Sequence, residues 1–365
     1  DPSIFPMKKS GSKVTLWGMV LSGGTQNKIW YLKSEDMVNW SYAGVFDYVY
    51  PECVTVSNIN NEHYVMTVSS RYYALGDFVY NDDSELIEFH NLNGKLISQA
   101  DFTKMDYGED SYAAQCFYID DPNSKYYGKS VSISWYSGLP SDAESGNATY
   151  GSVRDPWNGG GMTIPVILGI KDNVLTQTPI TLDNNDVEKE EIIDISGIDY
   201  DGSNNVLNDV NSHIFELNAD IDNANEEAIE FKVMVSNDEY TAFGWNKDEG
   251  YYVDRGHTSD AGINFQKNYH HRFNTGATDD TTHQTFYVLA DNGGLELFCG
   301  DYKYNFYNLV LPAPYSIGAE LNVSGEVHIN SLYVNNIKSA WHEDVLEEGV
   351  ILLDRENIDL DLEDW

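Results

Sequence analysis

Nowhere does this chain space its apolar residues at a helical period for more than two turns, and that constrains its fold more than any single motif does. Segments 14–21, 28–32, 63–68 and 130–135 are instead short and rich in β-branched and aromatic residues. Most are bounded by Gly, Asn, Asp or Ser, which punctuate strands. The 26 Tyr and 8 Trp suit the same pleated, half-buried surfaces. The chain is therefore expected to be all-β. Its first half reads as successive four-stranded units of a β-propeller, although no motif repeats at fixed spacing.

At 365 residues the chain is long enough for two or three domains. Residues 1–182 form the expected propeller unit. Between Asp183 and Asp201 there are eight acidic residues against one Lys, so 183–212 reads as an acidic linker over the surface. Strand-like sequence resumes near Ile214 and recurs at 230–235, 250–254, 285–289, 294–298 and 331–334. Residues 213–342 accordingly read as a two-sheet sandwich. The tail, 343–365, carries ten acids and one Arg, and its apolar run 350–353 points to docking on a neighbour or to a homodimer.

Lys and Arg total 21 against 59 Asp and Glu, a net charge of −38. Nucleic acid and anionic membranes are disfavoured as partners, because phosphate neutralisation needs the opposite sign. The charge fits a solvated, self-repelling surface and either a salt-adapted or an extracellular setting, between which composition does not choose. No apolar run approaches the ~18 residues of a membrane helix. Cys53, Cys116 and Cys299 are too few and too scattered for a disulfide scaffold or a zinc cluster. His270-His271 lacks metal-ligand spacing, and Gly159 to Gly161 lacks the context of a phosphate cradle, so no metal or cofactor is expected. The opening on Asp1-Pro2, already strand-like, leads us to expect a further amino-terminal piece.

Among many carboxylates, Glu52 stands out. It lies in Tyr50-Pro-Glu-Cys-Val54, between an aromatic strand end and a run of apolar residues. Such surroundings are expected to desolvate a carboxyl group and raise its pKa, as a general acid requires. Glu52 followed by Cys53, about fifty residues after Asp1-Pro2, resembles the acid/base motif of glycoside hydrolase family 32. Asp1-Pro-Ser-Ile-Phe5 resembles the end of that family's Arg-Asp-Pro motif, whose Asp binds sugar hydroxyls. The stretch from Asp106 to Ala113 is similar to its Asp-x-Gly-x-Asp-x-Tyr-Ala segment, near the substrate pocket. Ser132 to Trp135 and Trp157 to Pro165 resemble the strands that follow. Tyr252 to Arg255, Leu295 to Phe298 and Lys338 to Trp341 continue the likeness into the sandwich.

The resemblance implies a five-bladed β-propeller, its first blade missing from this chain, followed by a β-sandwich. It implies retaining release of fructose from sucrose or β-fructans, with Glu52 as acid/base and two catalytic carboxyls roughly 5 Å apart. Asp1 would stabilise the transition state, and no cofactor is required. Asp106 and Asp110 are candidates for sugar contact, and Trp135 and Trp157 for flooring the pocket, against the alternatives of turn formation and core packing. Arg154-Asp155-Pro156 repeats familiar letters but reads as a turn. Several positions depart from the family pattern. The attacking Asp of an Asn-Asp-Pro-like segment has no counterpart here, so the chain alone is expected to be inactive. Val54 stands where many relatives have Pro, and Pro165-Val-Ile replaces Pro-Arg-Glu. Two other readings stay open, a non-catalytic sugar-binding relative and an inverting five-bladed glycosidase, although the sandwich argues against the second.

Overall fold

Ahead of residue 180 the strand-forming segments mostly pair with their sequence neighbours, as antiparallel meanders closed by tight turns. The computed structural model describes residues 2–8, 15–49, 51–136 apart from 61 and 70, 161–180, 182, 187–258 apart from 238, 271–291, 293–310 and 312–338. The first sheet runs β1 (Pro2–Lys8), β2 (Thr15–Ser22), β3 (Lys28–Ser34), β4 (Ser41–Asp47). The second runs β5 (Thr55–Ile59), β6 (His63–Val68), β7 (Tyr72–Asn81), β8 (Leu86–Asn91), and the short β9 (Thr103–Lys104) pairs with β7. The third runs β10 (Ser111–Tyr118), β11 (Ser130–Tyr136), β12 (Val166–Lys171), β13 (Val174–Pro179). Local chemistry sets the turns. Asp172 and Asn173, at φ 54° and 63°, join β12 to β13 as the two-residue hairpin loop that these residue types favour. Helix among the described residues is limited to two 3-10 turns, Gly24–Gln26 and Gln99–Asp101.

The first strands of the three sheets lie side by side. Val56 N donates to Ser3 Oγ at 3.0 Å, and Cys116 N donates to Thr55 Oγ1 at 3.3 Å. Sheets one and two pack face to face through Phe5, Val20, Tyr31, Val56, Met66 and Phe89. The opposite face of sheet one is also apolar. Ile4, Met19, Leu32 and Tyr42 form one register row across it, and Leu21, Trp30 and Val45 a second. Ile4 is 43% exposed and Tyr42 54%, so this face stays open among the described residues.

The second half builds a six-stranded and a five-stranded sheet. The six-stranded sheet has the order β14 (Lys189–Tyr200), β24 (Val327–Ile337), β15 (Ile214–Asp222), β20 (His283–Asp291), β21 (Gly294–Cys299), β22 (Tyr304–Leu309). The other has β19 (Arg272–Asn274), β18 (Gly250–Asp254), β17 (Thr241–Asn246), β16 (Ile229–Val235), β23 (Gly318–Val323). Alternate residues Phe215, Leu217, Ala219 and Ile221 of β15 face Phe231, Phe243 and Trp245 in one core. Each large side chain so buried stabilises the fold by about 1.5–3 kcal/mol.

One expectation is corrected here. The acidic stretch 183–212 is not a linker throughout, because 189–200 is an edge strand of the sandwich. Its Glu190, Glu191, Asp194 and Asp199 face solvent, while Ile193 and Tyr200 are buried. Charge on the open side of an edge strand blocks pairing with other chains, which explains an acidic composition inside a strand. Among the described residues, three sheets precede residue 180.

Sheets two and three also pack against the sandwich. Tyr73, Leu75, Val166 and Leu175 share a cluster with Tyr287, Leu289, Phe298 and Tyr307. A cavity of about 440 Å³ opens along this junction, lined by Tyr136, Met162, Ile164, Leu289, Asp291 and Glu296 among others. Glu296 is buried. Its Oε1 accepts from Ile164 N at 2.9 Å, and burial pushes its pKa up to about 8. Between the unfolded value of about 4.5 and that folded value, the folded chain keeps a proton that the unfolded chain gives up. The contribution of Glu296 to stability is therefore fullest at acid pH and falls through this window, by about 1.4 kcal/mol for each pH unit. Melting curves at pH 5 and pH 8 test this: Glu296→Gln, which keeps the acceptor for Ile164, should flatten the loss seen in the parent protein.

Candidate active site

Glu52 sits just ahead of β5, where the first strands of the sheets begin. Its backbone is held from two directions. The Ser22 hydroxyl, ending β2, donates to Pro51 O, and Ser69 N donates to Glu52 O at 2.9 Å. Cys53, next in sequence, takes φ 46°, an uncommon left-handed turn for a non-glycine residue. The Glu52 side chain is exposed, and its Oε2 accepts a hydrogen bond from the Tyr112 hydroxyl. The expected desolvated setting is thus not found among the described residues. Pro51 and Val54 are buried, whereas Glu52 is exposed and Cys53 half-buried.

Tyr112 is the partner that sequence reading missed, although it lies within the 106–113 stretch. It is the second residue of β10, and the register against β11 shifts between Tyr112 and Gln115, with Ala113 at φ 52°. Such a bulge re-aims the side chains beside it. Burial and the neighbouring Glu52 both push the Tyr112 hydroxyl well above its ordinary pKa, so it acts as a donor. Trp135 pairs with Tyr112 across the strands, places its half-buried ring on the same face, and bridges to Met162. The geometry therefore gathers Glu52, Tyr112 and Trp135, with Ser22 and Ser69 behind them. Asp1 and Trp157 lie outside the described residues, as does Arg154-Asp155-Pro156.

Asp106 and Asp110 lie elsewhere, and their assignment to sugar contact is corrected. Asp106 is buried, its Oδ1 accepting from Gly108 N at 2.7 Å and Tyr307 N at 3.3 Å. Burial pushes its pKa up to about 7 despite Arg71, 3.9 Å away. Asp110 is wholly buried and accepts from Arg255 Nη1 at 2.8 Å and Leu309 N at 2.6 Å. The loop from Met105 to Asp110 runs along β22: Tyr107 N donates to Asn305 O at 2.8 Å and Asp110 N to Tyr307 O at 3.1 Å. A Cβ on Gly108 would come within 2.5 Å of the Tyr307 backbone, so this approach needs glycine. Arg71, from the turn after β6, donates to Gly108 O at 2.9 Å and also to Glu109 O. These carboxylates anchor the loop that delivers Tyr112 to Glu52 and leave no face open to a sugar.

The chain belongs to glycosyl hydrolases family 32: residues 1–179 match the family's N-terminal domain and residues 183–336 its C-terminal domain. It is similar to a sucrose-6-phosphate hydrolase of Staphylococcus xylosus, 27% identical over 61% of this chain and 44% of that protein. It is also similar to a fructan beta-fructosidase of Streptococcus mutans, 22% identical over 93% of this chain and 24% of that protein. The chain thus spans less than half the length of either relative. In fold it matches an exo-inulinase from Aspergillus awamori, with TM-score 0.69 and 18% identity over 93% of this chain and 67% of that one. It matches fructan 1-exohydrolase IIa from Cichorium intybus with TM-score 0.67 and 16% identity, over 93% of this chain and 72% of that one.

The anchoring of the loop is open to test. Arg255→Leu leaves the Asp110 charge buried without its cation, and breaking a buried pair in this way costs about 3–5 kcal/mol. Denaturant melts of the variant should show a loss of that size. A loss below about 1 kcal/mol would mean the pair does not hold the two halves together.

Proposed function

We propose that this chain forms part of a retaining β-fructosidase that releases fructose from sucrose or β-fructans. The observation that carries the reading is Glu52, exposed where the first strands begin and hydrogen-bonded by Tyr112. In this reading the Glu52 carboxylic acid gives its proton to the leaving glycosidic oxygen. The resulting carboxylate then takes a proton from water, which attacks the glycosyl-enzyme intermediate. Tyr112 holds the carboxyl in place, and the Trp135 and Trp157 rings support the sugar. Asp1 binds sugar hydroxyls. A retaining cycle also needs an attacking carboxylate about 5 Å away. Asp106 and Asp110 are buried and cannot serve, so that role is assigned to the Asn-Asp-Pro-like segment that the family places ahead of Asp1.

The same reading completes a five-bladed wheel by continuing it over the open apolar face of sheet one. An uncharged fructoside suits a chain with 21 basic residues and a net charge of −38 better than a phosphorylated one. An extracellular setting and a homodimer through the 350–353 run belong to the same proposal.

The experiment is fructose release from sucrose and inulin by the native full-length protein and its variants. Glu52→Gln should lower kcat by about 10²- to 10⁴-fold, the range for losing a general acid. Tyr112→Phe should lower kcat/KM by about tenfold or more, since a hydrogen bond to a charged group is worth about 1.5–3 kcal/mol. Full activity in Glu52→Gln would place the acid elsewhere. If the native protein binds fructosides but releases no fructose, it is a non-catalytic sugar binder.

A further inference from the structure

Strand pairing brings together donors that lie far apart in sequence on the six-stranded sheet. Along β15, Ala219 and Ile221 point into the sandwich core, which turns Asp220 and Asp222 to the opposite face. Asp222 is paired with His283 of β20 on one side and with His328 of β24 on the other, and His328 is paired with Asp199 of β14. Four neighbouring strands therefore carry a row of alternating carboxylate and imidazole, with Asp220 one step along β15. One donor atom from each of Asp220, Asp222 and His283 lies within 4.8 Å of the other two.

The strand beside them is shaped around this group. β24 carries an extra residue, Asn330, between the pairs Asp220–Ser331 and Ile221–Ile329. Its Nδ2 donates to Asp220 Oδ1 at 2.8 Å, and His283 Nε2 lies 3.0 Å from the same oxygen. An amide that fixes a ligating carboxylate is the usual outer support of a metal site. Asp220 and His283 are about one-third exposed, at 38% and 35%, so an ion can reach them while their stems stay packed.

We propose that Asp220, Asp222 and His283 bind a divalent transition-metal ion of the Zn²⁺ type on the outward face of the sandwich. One imidazole nitrogen and two carboxylate oxygens suit Zn²⁺ and its first-row neighbours, whereas Ca²⁺ and Mg²⁺ take oxygen ligands throughout. Bonds of about 2.0–2.2 Å to one central ion span the gaps between these donors after small side-chain rotations. Two carboxylates and a neutral imidazole give the site a charge that the ion cancels. His328 stays paired with Asp199 at 2.7 Å and serves as a flanking group. Sequence spacing does not show this site, because its imidazole comes from a strand about sixty residues from the two aspartates.

Calorimetric titration of chelator-treated full-length protein with ZnCl₂, and separately with CaCl₂, tests the proposal without reference to any catalytic activity. The expected result is Zn²⁺ binding that is lost in His283→Ala and in Asp222→Asn, with no Ca²⁺ binding at this site. Asn330→Ala should weaken Zn²⁺ by about 10- to 100-fold. Asp222 lies at an exposed strand end, so Asp222→Asn should fold normally, and far-UV circular dichroism checks this. Zn²⁺ affinity unchanged in both His283→Ala and Asp222→Asn overturns the site. Ca²⁺ binding that ignores His283 overturns it as well, and leaves an acidic patch with an ordinary His–Asp ion pair.

Discussion

The buried pair between Asp110 and Arg255 is the contact on which the arrangement of the site depends. Both side chains are fully removed from solvent, and Leu309 engages both partners, its N–H donating to Asp110 and its C=O accepting from Arg255 at 3.0 Å. The Arg255 guanidinium also lies 5.0 Å from the Phe273 ring centre. Ions so deeply placed are tolerated only when their geometry and remaining hydrogen bonds repay the loss of water. What the pair provides is position. Asp110 is the last residue before β10, so fixing it to the sandwich fixes Ser111 and Tyr112 in turn. The sandwich thereby acts on Glu52 through one loop and one tyrosine.

Packing at the inner edge of the three sheets obeys a second constraint. Their first strands meet closely, and the contacts there are made by small hydroxyl side chains rather than large apolar ones. Ser3 reaches Val56 N, Thr55 reaches Cys116 N, and Ser57 donates to Ser130 Oγ at 2.6 Å. Small side chains let the backbones approach, and each hydroxyl satisfies a polar group that crowding would otherwise leave unpaired. The apolar mass lies between the sheets instead, in rings such as Phe5 and Phe78, stacked 4.2 Å apart. Strand ends with free carboxyl and hydroxyl groups then collect at one place, which is how a meander of ordinary hairpins produces a site.

Much of this was legible in the sequence. The strands at 63–68 and 250–254 fall where β-branched and aromatic runs place them, because such runs have no competing helical period. Glu52 could be singled out because Pro51 and Val54 frame it, but its exposure could not, since that depends on where two other sheets end. Asp106 and Asp110 misled for a physical reason: a carboxylate in a Gly-containing loop reads alike whether it meets a sugar or an arginine 145 residues away. The linker at 189–200 misled because acidic residues signal solvent, and one side of an edge strand is solvent. Tyr112 was hidden by the bulge at Ala113, which no local propensity announces.

Charge and apolar surface are distributed in opposite ways in this molecule. A net charge of −38 favours keeping copies apart, and Asp106 and Glu296 are buried where desolvation favours their neutral forms. Against that background, the open face of sheet one presents Ile4, Met19, Leu21, Trp30, Leu32, Tyr42 and Val45 in register. A contiguous apolar sheet face of this kind marks a contact surface. The other face of the same sheet is covered by sheet two, where Phe5, Val20 and Tyr31 meet Val56 and Phe89. The surface that would best cover the open face is therefore another sheet of the same kind, packed at the same spacing and with its first strand beside β1. Under the proposed function that neighbour brings a second carboxylate to the place where Glu52 and Tyr112 already stand, so the same packing rule that builds the fold also completes the chemistry.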